Sequence, residues 1–221
     1  MTRAKRVYTI FVKLHHYRNS TLLNGWKKAF NTDDIFEVYF YLQKLRDELI
    51  LLEEELSQNV PSNIYKEVIS KCNDLIYRYD FSNHLSKLAL SNGMLERFYG
   101  FSFYGKDEDT IDTNLKDDIE ILKNSIKDLE DVELKILLED IISTINKIDI
   151  LPTIVGEDGL KSSFKELYCK LNTNIEDIQK APKEYKETVV KIYTKLDKTF
   201  GLVEKWLPRS ENILSFIDRF N

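Results

Sequence analysis

Between Thr32 and Leu56 the apolar residues Ile35, Val38, Leu42, Leu45, Leu49, Leu52 and Leu56 recur at steps of three and four. That is the period of one helix face, whereas a strand would alternate every second residue. A seam this long implies a helix of about seven turns whose apolar stripe needs other helices to cover it. Thr32 and Asp33 supply capping oxygens at its start. The seam therefore commits the chain to helix-on-helix packing, and the remaining sequence has to provide the partners.

It does so. Pro61 and Ser62 break the chain, and Ile64, Val68, Ile69, Cys72, Leu75, Ile76 and Tyr79 mark a second helical face. A third helix is expected from near Ser82, carrying Leu85, Leu88, Leu95 and Phe98, with Gly93 weakening its middle. Leu115, Ile119, Leu122, Ile126 and Leu129 form a further run, and the register slips around Asp128 to Glu133 before Leu134, Leu137, Leu138, Ile141, Ile142, Ile145 and Ile148 continue on a shifted face. A helical hairpin accounts for that slip. Pro152, Gly156 and Gly159 read as a loop, followed by a helix from about Leu160 to Leu171. A last long helix is expected over Lys183 to Leu207, with Tyr185, Val189, Ile192, Leu196, Val203 and Trp206 on one face and Thr199 in one seam position. Pro208 stops it, and Ser210 caps a short terminal helix over "ENILSFIDRF". Val7, Ile10, Phe11 and Leu14 favour helix for the β-branched N-terminal stretch.

With 7 Gly and 4 Pro in 221 residues the chain is poor in the turn formers a many-stranded protein needs, and 43% hydrophobic residues is too apolar for disorder. The reading is all-α: an antiparallel bundle of about seven or eight helices. It divides into an N-terminal bundle over residues 1–105 and C-terminal hairpins over 106–221, either as two sub-bundles or as one continuous domain. Cys72 and Cys169 are too few for a disulfide framework or a thiolate metal site, and the apolar run Val7 to Val12 is too short for a membrane span. A soluble, cytoplasmic protein without cofactor or metal is expected.

Two features concentrate contact chemistry. Residues 1–32 hold Arg3, Lys5, Arg6, Lys13, Arg18, Lys27 and Lys28 and no acid, a charge of +7 that leaves −12 for the rest of the chain. Tyr8, Phe11, Tyr17, Trp26 and Phe30 are interleaved with these cations. The segment can bind phosphates and stack on bases, dock on an acidic partner, or pack against the protein's own acidic residues, such as the 14 acids and 5 bases between Asp107 and Asp149. The second feature is Phe98, Tyr99, Phe101, Phe103 and Tyr104, five aromatics in seven residues. Exposed, they would form a protein-binding patch; buried, they would plug a helix junction. The surrounding stretch, Tyr99 to Thr110, contains Gly100 and Gly105 and reads as a linker or functional loop.

The inventory for catalysis is thin. His15 and His16 are neighbours that point about 100° apart on a helix, so they do not share a metal easily. "DEDTIDTNLKDD" places Ile111 where a calcium loop needs an oxygen ligand and Asp112 where it needs glycine. One pair remains: in "RYDFSNH" an arginine, Arg78, precedes a histidine, His84, by six residues at a predicted helix junction. That spacing resembles the motif of the HEPN ribonuclease superfamily, which is all-helical. The resemblance implies metal-independent RNA cleavage in a dimer, with His84 as general base and Arg78 stabilising charge on phosphate. Tyr79 follows the arginine where that family often has a polar residue. The competing reading pairs Arg78 with a carboxylate at its helix end and leaves His84 a polar first-turn residue.

The sequence thus favours a non-catalytic interaction or adaptor subunit that binds a protein partner or itself. A metal-independent ribonuclease and a nucleic-acid binder using the basic N-terminal segment are the alternatives.

Overall fold

The computed structural model describes residues 1–78, 81–87, 89–104 and 115–200. Expectations for Tyr79, Leu88, Gly105, the acidic residues 107–114, the side chain of Thr199 and everything from residue 201 onward, including Val203, Trp206 and the terminal helix, lie outside the described residues. Regular structure among the described residues is helical, with one isolated bridge between Thr21 and His84 and no strand. The all-α bundle architecture holds. Among the described residues, no helix is long and apolar enough to cross a membrane.

Contacts divide the described residues into two compact units. The first comprises residues 1–104 with Thr153–Gly156, and the second residues 115–152 and 157–200.

In the first unit, α1 (Arg3–His16), α2 (Leu22–Ala29), α3 (Ile35–Asn59) and α4 (Ser62–Tyr77) follow one another through short turns, and α5 (Asn92–Phe101) comes after a longer connection. Side-chain oxygens cap four of these helices: Thr2 accepts from the Lys5 amide, Thr21 from Asn24, Asp34 from Phe36 and Ser91 from Met94. Asp34, rather than Thr32 or Asp33, caps α3; Thr32 Oγ1 instead accepts from the Asp34 amide at 3.1 Å and donates to Glu37 at 2.6 Å. The turn between α3 and α4 is only Val60–Pro61, which forces the two helices to run antiparallel and adjacent.

An aromatic chain forms the centre of this unit. Trp26 stacks on Phe30 at 5.2 Å, Phe30 meets Tyr41 at 5.2 Å, and Phe11 meets Trp26 and Phe98 at 5.9 and 6.1 Å. All five rings are buried. Such rings dominate the area removed from water in a unit of this size. Helix α2 fits because of Gly25: a Cβ there would stand 2.8 Å from Leu85 Cδ2 and 3.1 Å from Leu14 Cδ1.

The expected helix from Ser82 begins ten residues later, at Asn92. The intervening backbone serves α2 instead. Leu22 and Leu23 amides donate to the carbonyls of Asn83 and Phe81, and the Leu85 amide donates to Ser20, leaving only a 3-10 turn at Leu85–Lys87. Satisfying the orphan amides at the start of α2 outweighs the local helical pattern. Gly93 consequently lies in a first turn, not a helix middle, and Tyr99 and Gly100 are helical rather than linker residues.

The second unit contains α6 (Lys116–Ser125), most of α7 (Val132–Val155), α8 (Glu157–Thr173), α9 (Ile175–Ile178) and α10 (Lys183–Phe200). The expected break between Asp128 and Glu133 falls between α6 and α7. Pro152 lies inside α7 and Gly159 inside α8, so the expected loop shrinks to Gly156, whose φ of 70° ends one helix and admits the next. Near the end of α7 the proline removes a single backbone donor, which the helix tolerates. Helix α10 packs on α6, Tyr185 Oη donates to the Leu138 carbonyl at 3.0 Å, and Phe164 meets Tyr193 at 5.2 Å.

Candidate functional site

The strongest surface feature grows out of α3. Its buried face is Val38, Tyr41, Leu42, Leu45, Glu48, Leu49, Leu52 and Leu56. Ile35, assigned to the seam from sequence, is exposed. Residues Ile35 to Tyr41 are apolar at six of seven positions, and a helix that packs on one side cannot bury all of them. The surplus faces outward: Phe36 is 80% exposed and Tyr39 50%, with Ile35 and Phe40 beside them. At 100° per residue, Phe36, Tyr39, Phe40, Gln43, Ile50 and Leu51 share one side of the helix. All six are exposed.

Cations border this side. Lys44 Nζ stands 5.7 Å from the Phe40 ring and the Arg46 guanidinium 4.8 Å from the Tyr77 ring. Phe81 meets Tyr39 edge-on at 5.5 Å. Between α3 and the end of α4 these groups enclose an open cavity of about 250 Å³ lined by Tyr39, Gln43, Arg46, Tyr77, Arg78 and Phe81, among others. Sequence reasoning passed over this site, although the overload of apolar residues at Ile35 to Tyr41 was the signal for it.

The basic N-terminal residues separate into two sets. Arg6 is buried; its Nη2 donates to Glu48 at 3.0 Å and its Nε to the Ile154 carbonyl at 3.2 Å. Arg3 pairs with Glu48 at 2.9 Å and with Glu55. Both cations are thus turned to internal pairing with carboxylates of α3. Lys5, Lys13, Arg18 and Lys28 are exposed, Lys27 is half-buried, and Lys28 lies 5.4 Å over the Tyr17 ring.

The aromatic cluster also divides. Phe98 and Phe101 belong to the core, where Phe98 meets Tyr8 and Phe11. Tyr99, Phe103 and Tyr104 are exposed, Phe103 at 77%, with Tyr99 and Phe103 edge to face at 5.7 Å.

Arg78 ends α4, exposed, and lines the cavity; His84 is exposed, bridges to Thr21 and has its Nδ1 3.0 Å from Ser86 Oγ. Among the described residues no three His, Cys, Asp or Glu side chains are grouped to hold a metal. His16 Nδ1 lies 2.7 Å from the Val12 carbonyl. Burial pushes the Cys72 thiol well above its usual range, which keeps it protonated and a poor nucleophile.

No protein-family model, curated protein or solved structure matches the chain.

Proposed function

We propose that this protein is a non-catalytic interaction subunit of a cytoplasmic assembly, and that it binds a protein partner through the outer side of α3. One observation carries this reading: Phe36, Tyr39 and Phe40 stand exposed in a row on a helix whose opposite side already fills the core. Exposed apolar area is favourable to bury at roughly 25 cal/mol per Å², and a contiguous aromatic row concentrates that gain where binding hot spots form. The exposed Tyr99, Phe103 and Tyr104 offer a second aromatic surface in the same unit.

The test is recovery of the tagged protein from its native cells after nuclease treatment, in parallel with a Phe36→Ser, Phe40→Ser variant. A stoichiometric protein retained by the wild type and lost by the variant supports the reading. Equal retention by both removes the α3 surface from the account.

A further inference from the structure

Within that interaction reading, on which this inference rests, we propose that the cavity between α3 and α4 is a carboxylate pocket: Arg46 and Arg78 receive an Asp or Glu side chain of an amphipathic partner helix whose apolar stripe lies along Phe36 and Phe40.

Arg46 has unspent hydrogen-bonding capacity. Arg46 Nε is buried and donates to no acceptor, and neither Arg46 nor Arg78 forms an ion pair with a carboxylate among the described residues. A guanidinium held partly out of water without an acceptor is costly, and a carboxylate is the acceptor whose two oxygens match its fork. The nearby Asp47 carboxylate already accepts from Gln43 at 3.1 Å. The two cations also converge: Arg46 lies against the Tyr77 ring, Arg78 is the C-cap of α4 one residue on, and both line the one cavity.

The cavity is also continuous with the exposed aromatic row. Tyr39 lines the cavity and is also part of the outer row on α3, so one bound segment can place apolar side chains on Phe36 and Phe40 and an acid in the pocket. A helix presents such a combination at a spacing of three or four residues. A nucleotide is the competing occupant; within the cavity Arg46 already covers one face of Tyr77, which leaves that ring less able to stack on a base.

The experiment is selection of a displayed library of random helical segments on the full chain, followed by fluorescence anisotropy of a selected segment. Wild type is compared with Arg46→Gln/Arg78→Gln, with Arg78→Gln alone and with Phe36→Ser. The exposed Arg78 makes its single variant a safe choice should the double variant fold poorly. Expected are segments with an acid beside an apolar stripe, binding weakened about tenfold or more by the arginine changes, and the same loss when the segment's acid becomes its amide. Binding lost in Phe36→Ser but intact in both arginine variants would overturn the pocket and leave the α3 reading standing. Binding indifferent to Phe36→Ser would overturn the α3 reading itself. A single-stranded oligonucleotide that binds in an Arg78-dependent way, with no segment selected, would assign the pocket to nucleic acid and overturn the proposal.

Discussion

Arg6 and Glu48 form a 3.0 Å ion pair whose side chains retain 4% and 8% of their exposure. Glu48 lies on the buried side of α3 beside the seam residue Leu49, three residues from Leu45 and four from Leu52. Its carboxylate is held by Arg6 and Arg3 together. The acid-free start of the chain therefore has a structural role: two of its seven cations neutralise a carboxylate in the core.

Removing one member of such a pair leaves the other charge buried and uncompensated. Glu48→Ala is expected to lose about 3–5 kcal/mol of stability, read as a lowered urea midpoint. Lys5→Ala, at an exposed position on the same helix, should stay within about 0.5 kcal/mol of wild type. Equal effects at the two positions would contradict the division of the basic segment into internal and surface sets.

Gly25 and Gly93 predict opposite signs for one substitution. Gly25→Ala pushes a methyl group into Leu85 and Leu14, both buried, and should cost about 1–3 kcal/mol. Gly93→Ala meets nothing within 4 Å in the first turn of α5 and should gain up to about 1 kcal/mol from helix propensity. Thermal unfolding of the two variants checks both.

In the second unit, Glu166 lies 3.0 Å from Lys147 and 3.2 Å from Lys170. Burial pushes its carboxyl up, but hydrogen bonds and charge from the two lysines outweigh burial and hold it below its ordinary value. A depressed folded-state value means stability present above the unfolded value of about 4.3 and lost as pH falls through the folded one. Glu166→Gln should therefore be less stable than wild type at neutral pH, and the difference should shrink below about pH 4. A difference that persists at low pH would point to packing instead.

The interaction reading predicts no RNA cleavage by the folded protein without metal across varied substrates, and no change on His84→Ala. The exposed His84 has its ring nitrogen near Ser86, so that substitution should also leave thermal stability within about 0.5 kcal/mol. Metal-independent cleavage that disappears with His84→Ala would establish the ribonuclease alternative.

The period of α3 and the break between α6 and α7 were legible because they are written in local apolar spacing. Helix α2 was not, because Asn24 and Gly25 weaken its pattern and it depends on Leu14 and Leu85 closing around the glycine. Residues 81–85 carry a helical pattern, but Phe81 and Asn83 give their carbonyls to α2, a non-local use that no window of sequence displays. The outer site could have been found: six apolar residues in seven from Ile35 to Tyr41 exceed what one buried helix side takes up. Its arginines could not, since Arg46 and Arg78 are brought to one cavity only by the α3–α4 hairpin.

The most direct measurement is photo-crosslinking in native cells with a benzophenone side chain replacing Phe36, alongside the same group at the exposed Lys183 of the second unit. The account predicts one dominant protein adduct from position 36 and none from position 183. A smear of unspecific adducts at both positions, or nucleic acid as the crosslinked species at position 36, would contradict it.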